Sequence, residues 1–260
     1  MPVLSDSLKI SYQHLFDTCI IRESKYPVLD KCVQTIVAGK GQYEAISAAT
    51  GVPWYFIGIV HNMESGCNFS KHLHNGDPLN ARTVQVPKGN PKKGNPPFTF
   101  FESATDALNV EGFAQGTDWS IAGMLYSFEK YNGFGYRKKN INSPYLWGCS
   151  NQYSKGKYVK DGVFDPQAVS SQVGTAVILR RMSELQIAVA GKLDRISQIK
   201  EMGSEVIYDP KKYHLNAEQL QGLLNGVGQQ LRVDGFAGRN TSDAFRRVTG
   251  KYLTGDTAGK

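Results

Sequence analysis

One segment limits the possible folds of this chain more than any other, the run "GVPWYFIGIVHNMESG" at residues 51–66. Its apolar residues follow one another over about two helical turns, Pro53 suits the first turn of a helix, and Gly66 suits a helix end. The run therefore predicts an apolar helix whose last turn carries Glu64.

Most of the remaining chain also has helical periodicity. Residues 5–38 predict two helices, 42–50 predict a short third one, and helical patterns return at 101–131 and 165–200. Between 67 and 100, "HNGDP" has turn chemistry and "RTVQV" has strand propensity. The sequence predicts a mainly α (α+β) fold with a small β-hairpin within residues 67–100.

Length and composition leave room for two domains. The chain has 260 residues, 40% of them hydrophobic, which suffices for one substantial core and a second domain of about 50 residues. A polar connection, "IKEMGSEVIYDPKKYH", starts at residue 199 and precedes a compact tail. We expect one domain over residues 1–203, with residues 1–40 as a helical N-terminal extension, and a three-helix domain over 204–260.

The charge distribution favours a polyanionic partner. The net charge is +7, and the lysines and arginines are spread along the chain. This suits nucleic acid, an anionic membrane surface or a bacterial cell wall. No groove-reading motif or stacking platform accompanies the basic residues, which argues against nucleic acid.

The N-terminus and the cysteines indicate where the protein is made. "MPVLSDSLKISYQHLF" lacks the basic start and apolar run of a secretory leader. No stretch approaches the roughly 20 apolar residues that a membrane helix needs. The four cysteines have no CxxC spacing. We therefore expect synthesis in the cytoplasm and free thiols rather than disulfides.

Glu64 is the residue whose chemistry can be argued from its position. A carboxyl group at the end of an apolar helix loses solvation, which raises its pKa. A glutamate with a raised pKa suits a general acid at neutral pH. Glycosidic cleavage usually needs a second group, for which Asp77 is the candidate, and Thr83 is a candidate to hold a water. Glu102 and Glu129 are reserve candidates for the second carboxylate.

Two other groups of residues have less specific patterns. Three histidines and a cysteine lie close together, His61, Cys67, His72 and His74, but their spacing fits no known metal-ligand pattern. We predict no metal site and no cofactor. Residues 131–158 are rich in aromatic side chains outside a helical period, which favours a surface that contacts a ligand. Ordinary packing between helices is the alternative.

The segment "ESGCNFSKHLHNGDPLNARTVQVPKG", residues 64–89, resembles the lysozyme-like superfamily, in which a glutamate and a serine end a helix and a short β-hairpin follows. Glu64 and Asp77 resemble the glutamate and first aspartate of goose-type lysozymes. The step from Asp77 to Thr83 is similar to the Glu-Asp-Thr arrangement of phage lysozymes. Gln85 resembles the glutamine of soluble lytic transglycosylases.

A second motif, "KYNGFG" at residues 130–135, resembles the Tyr-Asn-Gly motif in the cleft of the same transglycosylases. The resemblance implies that Tyr131 and Asn132 bind sugar. Tyr145, Trp147 and Tyr153 of the aromatic segment are further candidates to contact it. It covers roughly residues 53–180, and the first 40 residues match no family.

The resemblance has two departures. Lys88 stands near the position of the second aspartate of goose-type enzymes, so that role is unfilled or taken by another residue. Arg82, Thr83 and Val84 replace the usual Gly-Leu-Met before the glutamine.

The tail resembles the three-helix peptidoglycan-binding domain. "VDGFAGRNTSDAFRRV", residues 233–248, follows the DGxxGxxTxxAF pattern of that family, and "LNAEQLQGLL" precedes it. Asp234 and Gly235 predict a turn, and Asn240 or Thr241 is expected to cap the next helix. Phe245 is expected to pack inward.

Both resemblances imply a muramidase of the phage endolysin type, which hydrolyses the β-1,4 bond between N-acetylmuramic acid and N-acetylglucosamine. The alternatives are a lytic transglycosylase, which forms 1,6-anhydro products, and a non-catalytic wall-binding phage component. We expect a monomer with peptidoglycan as its partner. It would reach the periplasm or cell wall through a holin lesion or a contractile secretion device.

Overall fold

The chain forms two compact units, Met1–Ala188 and Val189–Lys260. The computed structural model describes residues 2–113, 116–160, 162–187 and 195–259. These residues are mainly helical and include one two-stranded antiparallel sheet, so the predicted fold class is confirmed. Within the described ranges, no helix has both the length and the apolar character that a membrane crossing requires.

The described part of the first unit contains eight α-helices and two strands. They are α1 (Asp6–Asp17), α2 (Tyr26–Ala38), α3 (Lys40–Thr50), α4 (Trp54–Ser65), α5 (Phe100–Val110), α6 (Ile121–Asn132), α7 (Pro144–Trp147), β1 (Lys157–Lys160), β2 (Val163–Asp165) and α8 (Thr175–Glu184). The positions of most helices follow the predicted ones within a few residues.

Helix α4 lies at the centre of the first unit. All of its residues from Tyr55 to His61 are buried, and α2, α3 and α8 pack against it. The helices α2 and α4 approach closely at Gly58, where a Cβ would come within 2.5 Å of the Ile36 side chain. Burial of each large side chain, such as Phe56, contributes about 2 kcal/mol to stability. This core fixes the position of the helix end that carries Glu64.

The β-hairpin lies in a different part of the chain from the one predicted. Residues 67–100, all of which are described, contain only an isolated bridge between Lys71 and Pro78. Asp77 and Thr83 accept backbone N–H groups of that segment with their side chains, so the segment forms a loop and not a pair of strands. The strands β1 and β2 pair at 157–165 instead, where the rings of Tyr158 and Phe164 pack against Tyr136.

The first 40 residues are part of the core and not an extension of it. Helix α1 packs against α6, and α2 packs against α4 and α8. Tyr12 and Phe16 are each only 1% exposed, and the Tyr12 hydroxyl donates to Glu129 of α6. A helical period in the sequence shows that a helix has an apolar face, but not what covers it.

The second unit contains three α-helices in its described residues, α9 (Arg195–Glu205), α10 (Leu215–Asn225) and α11 (Arg239–Thr249). Ile199 of α9 is fully buried in the same core as Leu220 and Phe245. A Cβ at Gly203 would come within 2.1 Å of the Phe245 ring, so α9 and α11 cross closely. Because α9 shares this core, the division between the units lies at 188/189, before the expected boundary at residue 203.

The buried side chain of Gln221 joins α10 to the turn before α11. Its Oε1 accepts the backbone N–H groups of Asp234 and Gly235, each at 2.9 Å. Its Nε2 lies within 3.1 Å of three oxygens, those of Asp234 Oδ1, Phe236 O and Thr241 Oγ1. Satisfying a buried amide in this way fixes one conformation of the turn.

The cap of α11 differs from the expected one. Gly238, and not Asn240 or Thr241, occupies the N-cap position, and no side chain caps the helix. The Thr241 hydroxyl is used instead by Gln221. Phe245 is 5% exposed, so its predicted inward packing is confirmed.

Candidate active site

Glu64 lies in the last turn of α4. The helix ends at Gly66, whose φ of +62° places it in the left-handed region that favours glycine. The Gly66 N–H donates to Asn62 O at 3.1 Å, and the Cys67 N–H donates to His61 O at 3.2 Å. These bonds order the backbone at the end of α4, which carries the Glu64 side chain.

The turn of residues 73–77 packs directly on this helix end. Gly76 has a φ of +77°, and a Cβ there would come within 2.7 Å of the carbonyl oxygen of Glu64. The Gly76 N–H donates to His72 O at 2.9 Å, and the His72 N–H donates to Asp77 O at 2.7 Å. Since only glycine permits both this φ and this contact, Gly76 allows the turn to bring Asp77 to the end of α4.

The carboxyl group of Glu64 is half-buried. Burial raises the pKa of Glu64 to about 7, a hydrogen bond from Tyr145 opposes the rise, and the negative charge of Glu111 adds to it. The Tyr145 hydroxyl donates to Oε1 at 3.1 Å, and this bond leaves Oε2 out. Near neutral pH, Glu64 can therefore hold a proton and also release it.

Two tyrosines border Glu64. Tyr145 is buried in α7, whose first turn is capped by Ser143. Tyr131, in the last turn of α6, donates its hydroxyl to Leu73 O at 2.7 Å and so joins α6 to the 73–77 turn. Burial raises the pKa of both tyrosines, and the charge of Glu64 raises it further. Both hydroxyl groups therefore remain protonated donors.

Glu111 is a second carboxyl group beside Glu64. It follows α5, and its carbonyl oxygen accepts a hydrogen bond from Lys130. The ring of Phe113 stacks on Tyr131 with centroids 6.4 Å apart, which holds this segment against the end of α6. Burial raises the pKa of Glu111, and the charge of Lys130 opposes that rise. Glu111 thus contributes negative charge where Glu64 would lose its proton.

A sequence signal for Glu111 exists but does not distinguish it from other helix ends. Glu111 directly precedes Gly112, which has a φ of +71°, and Glu64 lies two residues before Gly66. A glutamate close to a glycine that ends a helix is common to both positions. Because the proximity of the two helix ends arises from tertiary packing, the pattern alone did not single out Glu111.

Asp77 organises the loop that follows it. Its Oδ2 accepts the backbone N–H groups of Val84 at 2.8 Å and Gln85 at 3.1 Å. Burial acts to raise the pKa of Asp77, but the bonds from Gln85, Val84 and Asn75 outweigh it and hold the pKa below its usual value. Asp77 is therefore ionised near neutral pH, with one of its two oxygens bound to the loop.

Thr83 is buried within the same loop and is 2% exposed. Its hydroxyl donates to Pro87 O and accepts the Asn90 N–H at 2.9 Å, while its backbone N–H donates to Asn90 O at 2.8 Å. A hydroxyl has a single proton to donate, and Thr83 uses it inside the loop. Thr83 supports the loop, and a direct role in holding water stays a prediction.

Gln85 and Asn132 are both exposed. Gln85 lies at the surface of the loop that Asp77 organises, between the exposed side chains of Val84 and Val86. Asn132 is the last residue of α6, next to Tyr131. Both positions are accessible to a polymer, but neither side chain is part of the group around Glu64 that hydrogen bonds define.

The aromatic segment separates into two groups. Tyr136, Trp147 and Tyr153 are buried, as expected for packing between helices, and Trp147 is only 2% exposed. Tyr131 and Tyr145 belong to the surroundings of Glu64. Packing between helices accounts for the first group, and contact with a ligand stays a prediction for Tyr131 and Tyr145.

The reserve carboxylates have structural partners. Glu102 and Thr99 form a capping box at the start of α5, and the bonds from Thr99 lower the pKa of Glu102. Glu129 is 4% exposed and accepts hydrogen bonds from Arg137 at 2.5 Å and from Tyr12. Neither carboxyl group contacts Glu64 through these bonds.

The clustered histidines also serve the fold. Burial lowers the pKa of His61 to about 4, which a bond to Asn68 O opposes, and the Tyr43 hydroxyl lies 2.9 Å from its Nδ1. His72 contacts Ser103 and Ala81, and His74 contacts Asp106. Among the described residues, no three His, Cys, Asp or Glu side chains are arranged to hold a metal ion.

Glu64 can give and accept a proton near neutral pH and has two tyrosine hydroxyl groups around it, and the turn that leads to the ionised Asp77 packs on the same helix end. Such a set suits protonation of a leaving oxygen and stabilisation of the positive charge that follows. Comparisons with protein family models, curated proteins and solved structures find no match to this chain. We therefore infer function from the chemistry of the site.

Proposed function

We propose that the protein is a muramidase, which hydrolyses the β-1,4 bond between N-acetylmuramic acid and N-acetylglucosamine in bacterial peptidoglycan. The observation that carries this proposal is the position of Glu64 at the end of the buried helix α4, where the Tyr145 hydroxyl donates to it and burial raises its pKa to about 7. A general acid works best when its pKa is near the working pH, because it then holds a proton and releases it readily.

In the proposed reaction, Glu64 protonates the glycosidic oxygen from Oε2 while Tyr145 holds Oε1. The bond between that oxygen and the anomeric carbon breaks, and positive charge develops on the sugar ring. Water then attacks the anomeric carbon and loses a proton to a carboxylate. Asp77 is the group proposed to take that proton, since the loop N–H groups keep it ionised.

The second unit supports a polymeric wall substrate. Its described residues form three α-helices, and Gln221 holds its "DGFAG" turn. A domain that adsorbs to an insoluble polymer raises the effective concentration of the attached enzyme. The resemblance of this tail to peptidoglycan-binding domains agrees with the chemistry of the Glu64 site.

Mass spectrometry of the soluble products from purified peptidoglycan tests the proposal. We expect muropeptides with reducing ends from the wild-type protein and a loss of at least about a thousandfold in rate for Glu64→Gln. Glu44→Gln, an exposed glutamate on α3, is the matched control and should retain full activity. Comparable rates for Glu64→Gln and the control would remove Glu64 from the mechanism.

A lytic transglycosylase is the second candidate. The specific observation in its favour is that Asp77 and Thr83 both bind the loop with groups that a hydrolase would use for water. In this reaction Glu64 acts first as acid and then as base, and the C6 hydroxyl of the muramic acid attacks the anomeric carbon. Products with 1,6-anhydro ends in the same experiment would replace the hydrolase by this activity.

A further inference from the structure

A polar cavity of about 200 Å³ lies in the first unit between α1, α6 and α7. Side chains from four parts of the chain line it, including Ser11, Tyr12, Glu129, Arg137, Asn140 and Trp147. Glu64 is not among its lining residues. The volume is below the roughly 300 to 1,000 Å³ of sites for drug-sized molecules, so the cavity suits a single small unit.

The charges in this cavity compensate each other. Among the described residues that line it, Glu129 and Arg137 are the charged ones, and they form an ion pair at 2.5 Å. The Arg137 guanidinium also lies over the Tyr12 ring, 5.1 Å from its centroid. A charged ligand would lose its hydration without finding an unpaired opposite charge. The cavity therefore favours a neutral ligand.

The cavity also contains hydrogen-bonding capacity that the fold leaves unused. The bonds from Tyr12 and Arg137 to Glu129 both end on Oε2, so Oε1 takes part in neither. Asn140, in the left-handed conformation with φ +53°, lines the same space. A ligand with several hydroxyl or amide groups would satisfy these positions.

We propose that this cavity binds one N-acetylated amino sugar, at a site separate from Glu64. An acetamido group carries an N–H that can donate to Glu129 and a carbonyl oxygen that can accept from Arg137. The ring hydroxyls supply the bonds to Asn140 and Ser11. The choice of an amino sugar rests on the proposed function, whereas the preference for a neutral hydroxylated unit rests on the cavity alone.

The test uses the full chain carrying Glu64→Gln, which prevents turnover, with N-acetylglucosamine as the probe and glucose as the comparison sugar. Two-dimensional ¹H–¹⁵N NMR follows the backbone amides during the titration. We expect saturable shifts at Ser11, Tyr12 and Asn140, with tighter binding of N-acetylglucosamine than of glucose. Shifts restricted to Gly66, Gly76 and Tyr131, which lie around Glu64 and outside the cavity lining, would overturn the proposal.

Two further substitutions locate the ligand. Ser11→Trp places a large ring at the exposed rim and should weaken binding at least tenfold, whereas Ser7→Trp, on the same helix but outside the lining, should not. Asn140→Gly keeps a favourable left-handed backbone, removes one amide, and should weaken binding severalfold. Unchanged affinity in both Ser11→Trp and Asn140→Gly would exclude the cavity.

The outcome is separable from that of the proposed reaction. A wild-type protein that cleaves peptidoglycan but shows no cavity shifts with N-acetylglucosamine would overturn this inference and leave the muramidase proposal intact. Cavity shifts in a protein that releases no products would overturn the muramidase proposal and leave the binding of a neutral sugar in the cavity intact.

Discussion

The proton on Glu64 depends on neighbours that act in opposite directions. Burial raises the pKa of Glu64 to about 7, Tyr145 opposes the rise by donating to the carboxylate, and the charge of Glu111 adds to it. Each neighbour stabilises one protonation state relative to the other. Removing them one at a time should therefore move the pH dependence of cleavage in opposite directions.

Glu111→Gln should move the alkaline limb of the pH–rate profile to lower pH, because loss of its negative charge lowers the pKa of Glu64. Tyr145→Phe should move the same limb to higher pH, because the bond that stabilises the carboxylate is lost. The measurement is the initial rate on soluble glycan fragments between about pH 5 and 9. Movement of the alkaline limb in the same direction in both variants would contradict this account of the site.

Glu64 should also make stability depend on pH. Its folded pKa is about 7 against an ordinary 4.5, so the folded state binds more protons in that interval and loses stability as pH rises through it. Replacement by Gln removes this effect. Chemical denaturation gives the free energy of unfolding of Glu64→Gln minus that of the wild type at each pH. We expect this difference to be larger at pH 8 than at pH 4 by up to about 3 kcal/mol. A difference that does not vary with pH would show that Glu64 keeps its ordinary pKa.

At the scale of elements, the site is an assembly of helix ends. The end of α4 carries Glu64, the residue after α5 is Glu111, and the end of α6 carries Tyr131. The 73–77 turn touches two of them, through Gly76 against α4 and through Leu73 O, which accepts from Tyr131. Displacing this turn should therefore disturb the whole site.

Gly76→Ala tests the role of that turn. The new Cβ would meet the Glu64 carbonyl oxygen in a backbone conformation that costs about 1–2 kcal/mol for an alanine. We expect a loss of about 3 kcal/mol in stability together with a fall in cleavage rate. Gly66→Ala is the matched control, since its Cβ meets open space and only the conformational cost of about 1–2 kcal/mol applies. Equal losses of stability in the two variants would mean that the 73–77 turn moves away from the Glu64 carbonyl oxygen at no cost.

The sequence predicts individual elements better than their contacts. Pro53 and Gly66 mark the ends of α4 because the signals for starting and ending a helix are local. The strand propensity of "RTVQV" does not produce a strand, since Asp77 and Thr83 bind the backbone of that loop with their side chains. The local signal at Glu111, a glutamate next to a glycine that ends a helix, does not distinguish it from other helix ends, because only packing brings it to Glu64.

At the scale of the whole molecule, the two units differ in how far the sequence predicts them. The three-helix tail has a compact motif, and its helices α10 and α11 lie where that motif places them. Its first helix, α9, has no such motif, and the sequence of its second half has the composition of a polar connection. The buried Ile199 shows that α9 completes the core of the tail. A boundary set by composition alone therefore falls inside a domain.

Truncation tests this division. A chain ending at residue 188 should remain soluble and cleave soluble fragments, while its adsorption to sacculi should fall at least about tenfold. A chain ending at residue 203 keeps most of α9 without its partners, exposes Ile199, and should bind a hydrophobic dye more strongly. Solubility, dye fluorescence and sedimentation with sacculi provide the measurements. Equal dye binding by the two truncated chains would place α9 outside the tail.

The amide of Gln221 has a consequence for the ageing of the protein. Amide side chains are among the heat-labile groups of proteins. Hydrolysis of this one would replace Nε2 by a carboxylate oxygen facing Asp234 Oδ1, Phe236 O and Thr241 Oγ1, where a donor now stands. A change of one chemical group would then set like charges and unpaired oxygens against each other inside the tail. Preparations stored warm should consequently lose their hold on an insoluble wall while retaining their rate on dissolved fragments.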